Sequence, residues 1–286
     1  MDEVVNALLR ALSFGTPILL ACLGAIVNER AGVSNLGVEG MMAVGALAAF
    51  ATANSTGNPW LAVLAAVAGA AALALVHAVA TIPLRANQFV SGLALTLLGI
   101  GLAGLLGKPY EGSPLPVRVP EWPFIVLAAV LTVGLALILS TTRLGLILRS
   151  TGENPAAVDA LGISVPRVRF LAVLIGGALS GLGGAFLGLA YRPSWMDNIT
   201  GGLGWLAVAL VIFVAWSPVR AALGALFFGV LYYLQFSLQG RTVFPTELLS
   251  AMPFVLVLVA LGVAGARRAA GHAPAALGRP YLRGER

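Results

Sequence analysis

The chain has 286 residues, of which 59% are hydrophobic and only 10% are charged, and its formal net charge is +6. Average soluble domains carry about 25% charged residues, so this composition excludes a water-soluble globule. The positive charge falls mainly in the segments between apolar runs, which indicates membrane topology and argues against a nucleic-acid partner.

Apolar runs of about twenty residues recur along the chain, and each can cross a bilayer core of about 30 Å. These runs lack the period-two alternation of barrel strands. We therefore predict an all-α polytopic membrane protein with one transmembrane domain over residues 1–265. About nine spans are expected, at residues 5–27, 38–54, 60–84, 88–107, 122–141, 169–190, 203–216, 220–238 and 247–265.

Arginine predominates on one side of this map, and cytoplasmic loops usually carry the excess of positive charge. That side holds Arg30, Arg85, Arg143, Arg149, Arg167, Arg169, Arg220, Arg267, Arg268, Arg279, Arg283 and Arg286. The opposite side holds Lys108, Arg118, Arg192 and Arg241, with Arg10 near the first span. The N-terminus is therefore predicted outside, the C-terminus inside, and the loop 142–168 in the cytosol.

The first polar stretch between apolar spans covers residues 28–40 and carries Asn35 and Glu39. Its glycines favour irregular backbone, which is tolerated at membrane depth only where protein or a wet cavity covers it. One interpretation is a broken-helix element that lines a translocation path. The other is an ordinary cytoplasmic hairpin, and the spacing alone leaves both open.

A second polar stretch, residues 85–92, places Asn87, Gln88 and Ser91 at the start of the fourth span. Amides that enter a membrane helix usually meet an interhelical partner or a wet cavity. The alternative is plain capping of the helix start. His77 has no second histidine or carboxylate at helical spacing, so we expect a packed, hydrogen-bonded side chain.

The loop 142–168 contains a short helix that its flanking residues predict. Asn154 is a good N-cap, Pro155 suits the first helical position, and Gly162 can end the helix in the left-handed conformation. We expect a partner outside the membrane to contact this helix. The residues that would form the contact are Glu153, Asn154, Pro155, Ala156, Ala157, Asp159, Leu161 and Gly162.

The sixth span contains small residues at steps of four. They are Gly177, Ser180, Gly181, Gly184 and Gly188. Such rows let helix backbones approach closely in lipid, so we predict a central packing helix and not a substrate site.

Trp122, Trp195 and Trp205 suit the aromatic belt at the membrane–water interface, although the segment 191–205 could also receive an external docking protein. The tail 266–286 is basic and rich in Ala, Pro and Gly. We predict that this tail is mobile and is held near anionic headgroups by its arginines.

Several kinds of chemistry are missing from the sequence. The single lysine, Lys108, is followed by Pro109, so there is no P-loop with its Lys and Ser/Thr. No H-E-x-x-H, paired-cysteine or Gly-x-Ser-x-Gly pattern is present. We therefore expect a chain that is not an enzyme and that binds no metal or cofactor of its own. Intramembrane charge is scarce, which argues against a carrier driven by an ion gradient.

Three stretches together resemble the permease subunits of bacterial ABC importers for simple sugars, ribose and branched-chain amino acids. They are Asn-Glu-Arg-Ala-Gly-Val-Ser-Asn-Leu-Gly-Val-Glu-Gly at 28–40, Ala-Asn-Gln-Phe-Val-Ser-Gly at 86–92 and Gly-Glu-Asn-Pro-Ala-Ala-Val-Asp-Ala-Leu-Gly-Ile at 152–163. The first stretch is most like the nucleoside-uptake members. The similarity covers nearly the whole chain.

The resemblance implies a type II-like importer fold in the bacterial cytoplasmic (inner) membrane, with the helix at 154–162 docked into an ATP-hydrolysing subunit. It also implies a second, homologous permease that forms a pseudo-dimer, an ABC ATPase that uses ATP and Mg²⁺, and an external substrate-binding lipoprotein. We expect nucleoside import by alternating access. A permease for a simple sugar or a branched-chain amino acid, or an ATP-independent secondary carrier, is the alternative. The expected pathway residues are Asn35, Glu39, Asn87, Gln88 and Ser91.

Overall fold

The computed structural model describes residues 2–192, 194–239, 245–266 and 273–282. Within these ranges the regular structure is helical, apart from two isolated bridges. The helices are α1 (Asp2–Arg30), α2 (Val38–Thr56), α3 (Pro59–Thr81), α4 (Gln88–Gly107), α5 (Trp122–Thr141), α6 (Arg143–Glu153), α7 (Pro155–Ala160), α8 (Val165–Phe186), α9 (Leu203–Phe213), α10 (Pro218–Leu238) and α11 (Thr246–Ala266). A 3₁₀ turn, Lys108–Tyr110, follows α4, and a π-helical segment, Leu187–Tyr191, extends α8.

The predicted spans coincide with α1 to α5 and α8 to α11, whose ends differ from the predicted ones by a few residues. Six helical segments are long and apolar enough to cross a membrane: Val4–Arg30, Pro59–Thr81, Gln88–Tyr110, Trp122–Thr141, Val165–Tyr191 and Pro218–Leu238. Helix α9 has 11 residues, so it is about 16 Å long and covers about half of a bilayer core. The described part of the chain thus combines full spans with a half-length helix.

Helix α8 packs against α1, α2 and α3 near the centre of the fold. Its small residues face neighbouring backbones. A Cβ atom added at Gly181 would collide with the Ala66 carbonyl of α3, and one added at Gly184 would collide with the Met42 carbonyl of α2. Close approach of these helices therefore requires glycine at both positions.

The remaining members of the small-residue row lie on the same side of α8. A Cβ at Gly177 would meet α3, and one at Gly188 would meet α2. Ser180 is fully buried, and its hydroxyl donates to the Gly176 carbonyl at 2.9 Å. Because Ser180 is fully buried, a larger side chain at this position would also push α8 away from the helices packed against it.

Gly184→Ala is expected to destabilise the protein by about 1–3 kcal/mol, because the added methyl overpacks the contact between α8 and α2. Gly134→Ala is the matched control, since a Cβ at this α5 position meets nothing within 4 Å. Alanine should leave stability unchanged there or raise it slightly through its higher helix propensity. Thermal unfolding in detergent measures both effects. Equal melting temperatures for the two variants would contradict the packing role.

The loop predicted at 142–168 is mostly helical. Helix α6 occupies its first half and is capped by Thr142, whose hydroxyl accepts from the Gly145 amide at 3.1 Å. Leu144 and Leu146 are exposed, beside arginines of the same helix. The apolar pattern is too short for a span, and the arginines interrupt it, so hydropathy alone missed the helix. A short amphipathic helix of this kind suits the membrane interface.

The C-terminal segment 273–282 is not the mobile tail that composition predicted, because it folds onto the rest of the chain. The Ala276 amide donates to the Gly152 carbonyl at 2.8 Å, and the Gly278 amide donates to the Gly32 carbonyl at 3.2 Å. A segment that is held by main-chain hydrogen bonds needs no hydrophobic periodicity, so its sequence gives no sign that it is folded. Apart from this segment and the last residue of α11, the predicted tail lies outside the described residues.

Candidate functional site

The connection between α1 and α2 is irregular and buried. Every residue from 31 to 40 except Leu36 is buried, and Gly32 turns the chain with a φ of 85°. This left-handed conformation favours glycine because it has no Cβ. The backbone here is covered by protein, as irregular backbone at membrane depth requires.

The contacts that α8 makes show how far this connection extends along the helix axis. Its Arg169 donates to the Ala31 carbonyl at 3.2 Å, and its Gly184 abuts Met42. At 1.5 Å per residue these two α8 positions are about 22 Å apart along the helix axis. Because Met42 lies only about one turn into α2, this helix begins well along α8 from the end of α1, which favours the broken-helix interpretation over the cytoplasmic hairpin.

Glu39, in the first turn of α2, holds the start of the half-length helix α9. One carboxylate oxygen accepts from the Thr200 hydroxyl at 2.5 Å and from the Gly202 amide at 2.8 Å. The other oxygen accepts from the Gly204 amide at 2.6 Å. The first amides of a helix have no partner within it, and a carboxylate complements the positive end of the helix dipole. Glu39 thus caps α9 from another helix.

The opposite end of α9 is held by the end of α1. The Trp216 indole N–H donates to the Glu29 carboxylate at 2.6 Å. The Arg30 guanidinium donates to the carbonyls of Ala215 and Trp216. Both of these carbonyl residues have left-handed backbone, with φ of 50° and 57°. One buried element therefore fixes α9 at both ends.

Two predicted pathway residues tie this element to α3 and α4. The Gln88 side-chain oxygen accepts from the Ser34 amide at 2.7 Å. His77 bridges the Ser34 carbonyl, at 3.2 Å, and the Ser91 hydroxyl, at 3.0 Å. The prediction of a packed, hydrogen-bonded His77 is confirmed. Gln88 and Ser91 help to position the connection, and their contact with a transported solute stays a prediction.

Asn35 and Asn87 bond to local backbone. The Asn35 side-chain oxygen accepts from the Gly37 amide at 2.8 Å. Asn87 accepts from the amides of Phe89 and Val90 at 3.0 and 3.1 Å, which is helix-start capping of α4. Contact of either side chain with a solute also stays a prediction.

A cavity of about 110 Å³ opens between α1, the π-helical segment, the start of α9 and α10. Aromatic rings of Phe14, Tyr191, Tyr232 and Phe236 line it. The Phe14 ring lies nearly parallel to those of Tyr232 and Phe236, with centroids 6.1 and 5.4 Å apart. Thr200, which donates to the carboxylate cap of α9, also lines the cavity. The cavity therefore adjoins the capped start of the half-length helix.

Arg192 adds a positive group to this cavity. Its guanidinium lies over the Tyr191 ring, 5.1 Å from the centroid, and its buried Nε has no hydrogen-bond partner within the described residues. Ser13 lies on the same wall. Aromatic faces combined with a few hydrogen-bonding groups are suited to a flat, polar-edged molecule.

Sequence reasoning missed this cavity because its aromatic residues come from separate helices and form no motif. It also misassigned Trp195, predicted for the membrane–water belt, which is only 2% exposed and packs on Phe50 with ring centroids 5.6 Å apart. Trp122 is exposed, as the belt interpretation requires. Aromatic content alone does not distinguish a belt residue from a buried anchor.

The short helix predicted in the loop 142–168 is present as α7. The Asn154 side chain accepts a backbone amide of the first turn at 3.1 Å, Pro155 opens the helix, and Gly162 follows it with a φ of 79°. Val158 is buried beneath the helix, whereas Leu161 is 80% exposed. Helix α7 is thus anchored on one side and presents an apolar side chain on the other.

The other residues expected to contact a partner differ in exposure. Ala156 and Ala157 are exposed, and Asp159 is half-buried. The Glu153 carboxylate accepts from the Ala275 amide at 3.2 Å, so it binds the C-terminal segment. Their contact with an ATPase stays a prediction.

Comparison with known proteins links this architecture to named permeases. The putative glucose ABC transporter permease protein TsgC13 of Haloferax volcanii is 40% identical over 82% of this chain and 78% of its own. The guanosine ABC transporter permease protein NupQ of Bacillus subtilis is 33% identical over 96% of both chains. The nucleoside ABC transporter permease protein NupC of Lactococcus lactis is 32% identical over 91% of this chain and 94% of its own.

No solved structure matches the chain. The profile of the family described as branched-chain amino acid transport system / permease component matches residues 7–261, which is most of the sequence. Several curated permeases match over most of their own length as well. The chain therefore belongs to the family of permease components of branched-chain amino acid transport systems.

Proposed function

We propose that this chain is the membrane-spanning subunit of an ATP-driven ABC importer that moves nucleosides into the cytoplasm. Its family and its long apolar helices make it a multi-pass protein of the cytoplasmic membrane. Relatives are named as guanosine, nucleoside and putative glucose ABC permeases. The observation that favours a nucleoside over a sugar is the aromatic cavity beside the capped start of α9.

In this proposal the chain has a type II-like importer fold with nine crossings, formed by α1 to α5 and α8 to α11. The N-terminus lies outside and the C-terminus inside, an orientation that the arginine distribution supports. The half-length helix α9 and the irregular segment before it together complete one crossing. Helices α6 and α7 and the segment 273–282 then lie on the cytosolic side.

Three partners follow from this function. The chain carries no P-loop and acts as a transport subunit without its own ATPase site. ATP must therefore be hydrolysed by a separate ABC ATPase, which uses Mg²⁺. An external substrate-binding lipoprotein delivers the nucleoside. A second, homologous permease completes a pseudo-dimer around the translocation path.

Movement of α7 provides a route for coupling. Helix α7 contacts α6 and α8, and α8 packs against the buried connection between α1 and α2. That connection holds both ends of α9 through Glu29, Arg30 and Glu39. Closure of the ATPase would displace α7 and, through α8, would tilt α9 together with the connection that holds it. This movement would open the path to one side or the other by alternating access.

A nucleobase suits the chemistry of the cavity, and the present volume of about 110 Å³ means that the site must widen when the solute enters. Its flat ring system can stack on aromatic side chains, and each stacked base contributes about 1–3 kcal/mol. Thr200, Ser13 and Arg192 place two hydroxyls and a guanidinium beside the rings, where ribose or base-edge atoms can bond. A hexose has no π-system and can pack only its C–H faces against the same rings.

Isolation from the native membrane in mild detergent, followed by mass spectrometry, tests the assembly. We expect an ABC ATPase, a second permease and a binding protein to accompany the chain. Proteoliposomes that hold the complex would then be given radiolabelled guanosine or glucose. ATP-dependent uptake of guanosine supports the proposal. Uptake of glucose alone would replace the nucleoside with a sugar, and uptake without ATP would leave a secondary carrier.

Phe236→Ala is expected to lower guanosine uptake about tenfold by removing one stacking surface from the cavity. The side chain is 46% exposed, so its loss should leave the fold intact. Leu234→Ala on the same helix is the matched control, since Leu234 is 41% exposed and does not line the cavity. Uptake kinetics in proteoliposomes measure both. Similar losses in the two variants would exclude a specific role for the ring.

A further inference from the structure

The C-terminal segment 273–282 lies beside α7 and binds three parts of the proposed cytosolic side: the end of α6, the buried connection and α8. Its main chain bonds to Gly152 at the end of α6 and to Gly32 in the buried connection. Its Ala275 amide donates to the Glu153 carboxylate. Its Arg279 carbonyl accepts from the Arg169 guanidinium of α8 at 2.8 Å. The segment is therefore fixed beside the helix that we assign to coupling.

A cleft of about 290 Å³ separates this segment from the start of α7. One wall carries Glu153, Asn154, Pro155 and Ala156, and the other carries Ala275, Ala276, Arg279, Pro280, Tyr281 and Leu282. Arg169 lines the cleft between the two walls. The cleft thus lies between the proposed coupling helix and the C-terminal segment.

Arg169 is 3% exposed and uses only part of its guanidinium. Its Nε donates to the Ala31 carbonyl and its Nη1 donates to the Arg279 carbonyl. Its Nη2 is buried and has no hydrogen-bond partner within the described residues. A buried donor without an acceptor is costly and rare in folded proteins. Nη2 lies against Gly32 of the buried connection, so Arg169 contributes its positive charge to the cleft that it lines, not this donor.

We infer that this cleft is part of the docking site for the ATPase and receives an acidic side chain of that subunit. The inference rests on the proposed function, in which α7 docks to the ATPase. The exposed Arg279 guanidinium offers donors that match a carboxylate in geometry and charge, and Arg169 adds a second positive charge to the same cleft. Glu153 contributes one negative charge to the cleft, against the two positive charges of the arginines. Its carboxylate accepts from the Ala275 amide and so belongs to the attachment of the segment. Because the cleft adjoins the start of α7, a protein bound to α7 would also contact the cleft.

This arrangement joins docking to the transmembrane region. Arg169, beside which the ATPase carboxylate would bind, also holds the Ala31 carbonyl at the end of α1. The C-terminal segment holds the Gly32 carbonyl next to it. Binding in the cleft would therefore stabilise the hydrogen bonds to the Ala31 and Gly32 carbonyls, and with them the buried connection that fixes α9.

Arg279→Glu tests the cleft with the full chain co-expressed with its own transporter subunits. The Arg279 carbonyl, not its side chain, accepts from Arg169, so the substitution leaves the attachment of the segment in place. We expect about tenfold weaker retention of the ATPase, measured as the salt concentration that releases half of it from the detergent-solubilised complex. Arg143→Glu is the control, because Arg143 is exposed on α6 and lies outside the cleft.

A chain truncated after residue 272 should lose the ATPase at least as readily as the Arg279→Glu variant, and its guanosine uptake should fall in parallel. A change from Asp or Glu to Lys in the ATPase that restores its retention by Arg279→Glu would identify the occupant. Unchanged ATPase retention in both variants, with an intact wild-type complex, would overturn this inference alone. A wild-type chain that binds no ATPase would overturn the proposed function and this inference with it.

Discussion

Glu39→Ala is expected to abolish nucleoside uptake and to lower the stability of the folded chain by about 3 kcal/mol or more. The carboxylate is the acceptor for Thr200, Gly202 and Gly204. Each buried donor left without a partner costs about 1–3 kcal/mol, and Glu39 is only 1% exposed. Thermal unfolding in detergent and guanosine uptake in proteoliposomes measure the two effects.

The matched control is Glu111→Ala, because Glu111 is exposed on the segment after α4. Glu39→Gln keeps the size of the side chain but turns an NH₂ group toward a backbone donor, so an intermediate loss is expected. Normal stability with lost uptake in Glu39→Ala would mean that the carboxylate acts on the solute and does not cap α9. Normal stability with normal uptake would contradict both roles.

Most of the helical framework could be predicted from the sequence because the bilayer imposes it. Spans need a fixed length of apolar residues, and this signal lies within each segment. The predicted ends of the fourth and fifth spans, 88–107 and 122–141, coincide with α4 and α5. The start of α7 was also predictable, since Asn154 and Pro155 act on their own neighbouring backbone.

The contacts that organise the candidate site could not be predicted in the same way. Glu39 meets the start of α9, and Glu29 meets its end, across more than 150 residues of chain. Nothing in the local pattern of either glutamate identifies such a partner. The polar stretch 28–40 stands out in the sequence, because charged and amide groups between apolar spans must be satisfied by protein or water. Which groups satisfy them depends on the packing of distant helices.

The same reason explains two elements near α7 that the sequence did not predict. Helix α6 is short and amphipathic, so a search for long apolar runs passes over it. The segment 273–282 resembles a disordered tail in composition, yet backbone bonds to Gly32 and Gly152 hold it. Both elements adjoin α7, so the surface around α7 is larger than one short helix.

Leu161→Asp is expected to weaken ATPase binding about thirtyfold and to reduce uptake to background, while the melting temperature stays unchanged. Leu161 is 80% exposed, so its replacement removes little packing within the chain. Full burial of a leucine in a partner's groove contributes about 1.5–3 kcal/mol, and a buried aspartate would add a desolvation cost. Retention of the ATPase on the solubilised complex and ATP-dependent guanosine uptake are the measurements.

Leu161→Met is the matched control, because methionine keeps an apolar side chain of similar volume and should retain both activities. The point substitution is a sharper test than deletion of 154–162, since the deletion also removes the buried Val158 and would disturb the fold. Loss of uptake with unchanged ATPase binding would assign Leu161 to transmission of the movement. Unchanged binding and unchanged uptake would contradict docking through α7 and would leave the cleft at Arg279 as the remaining contact to test.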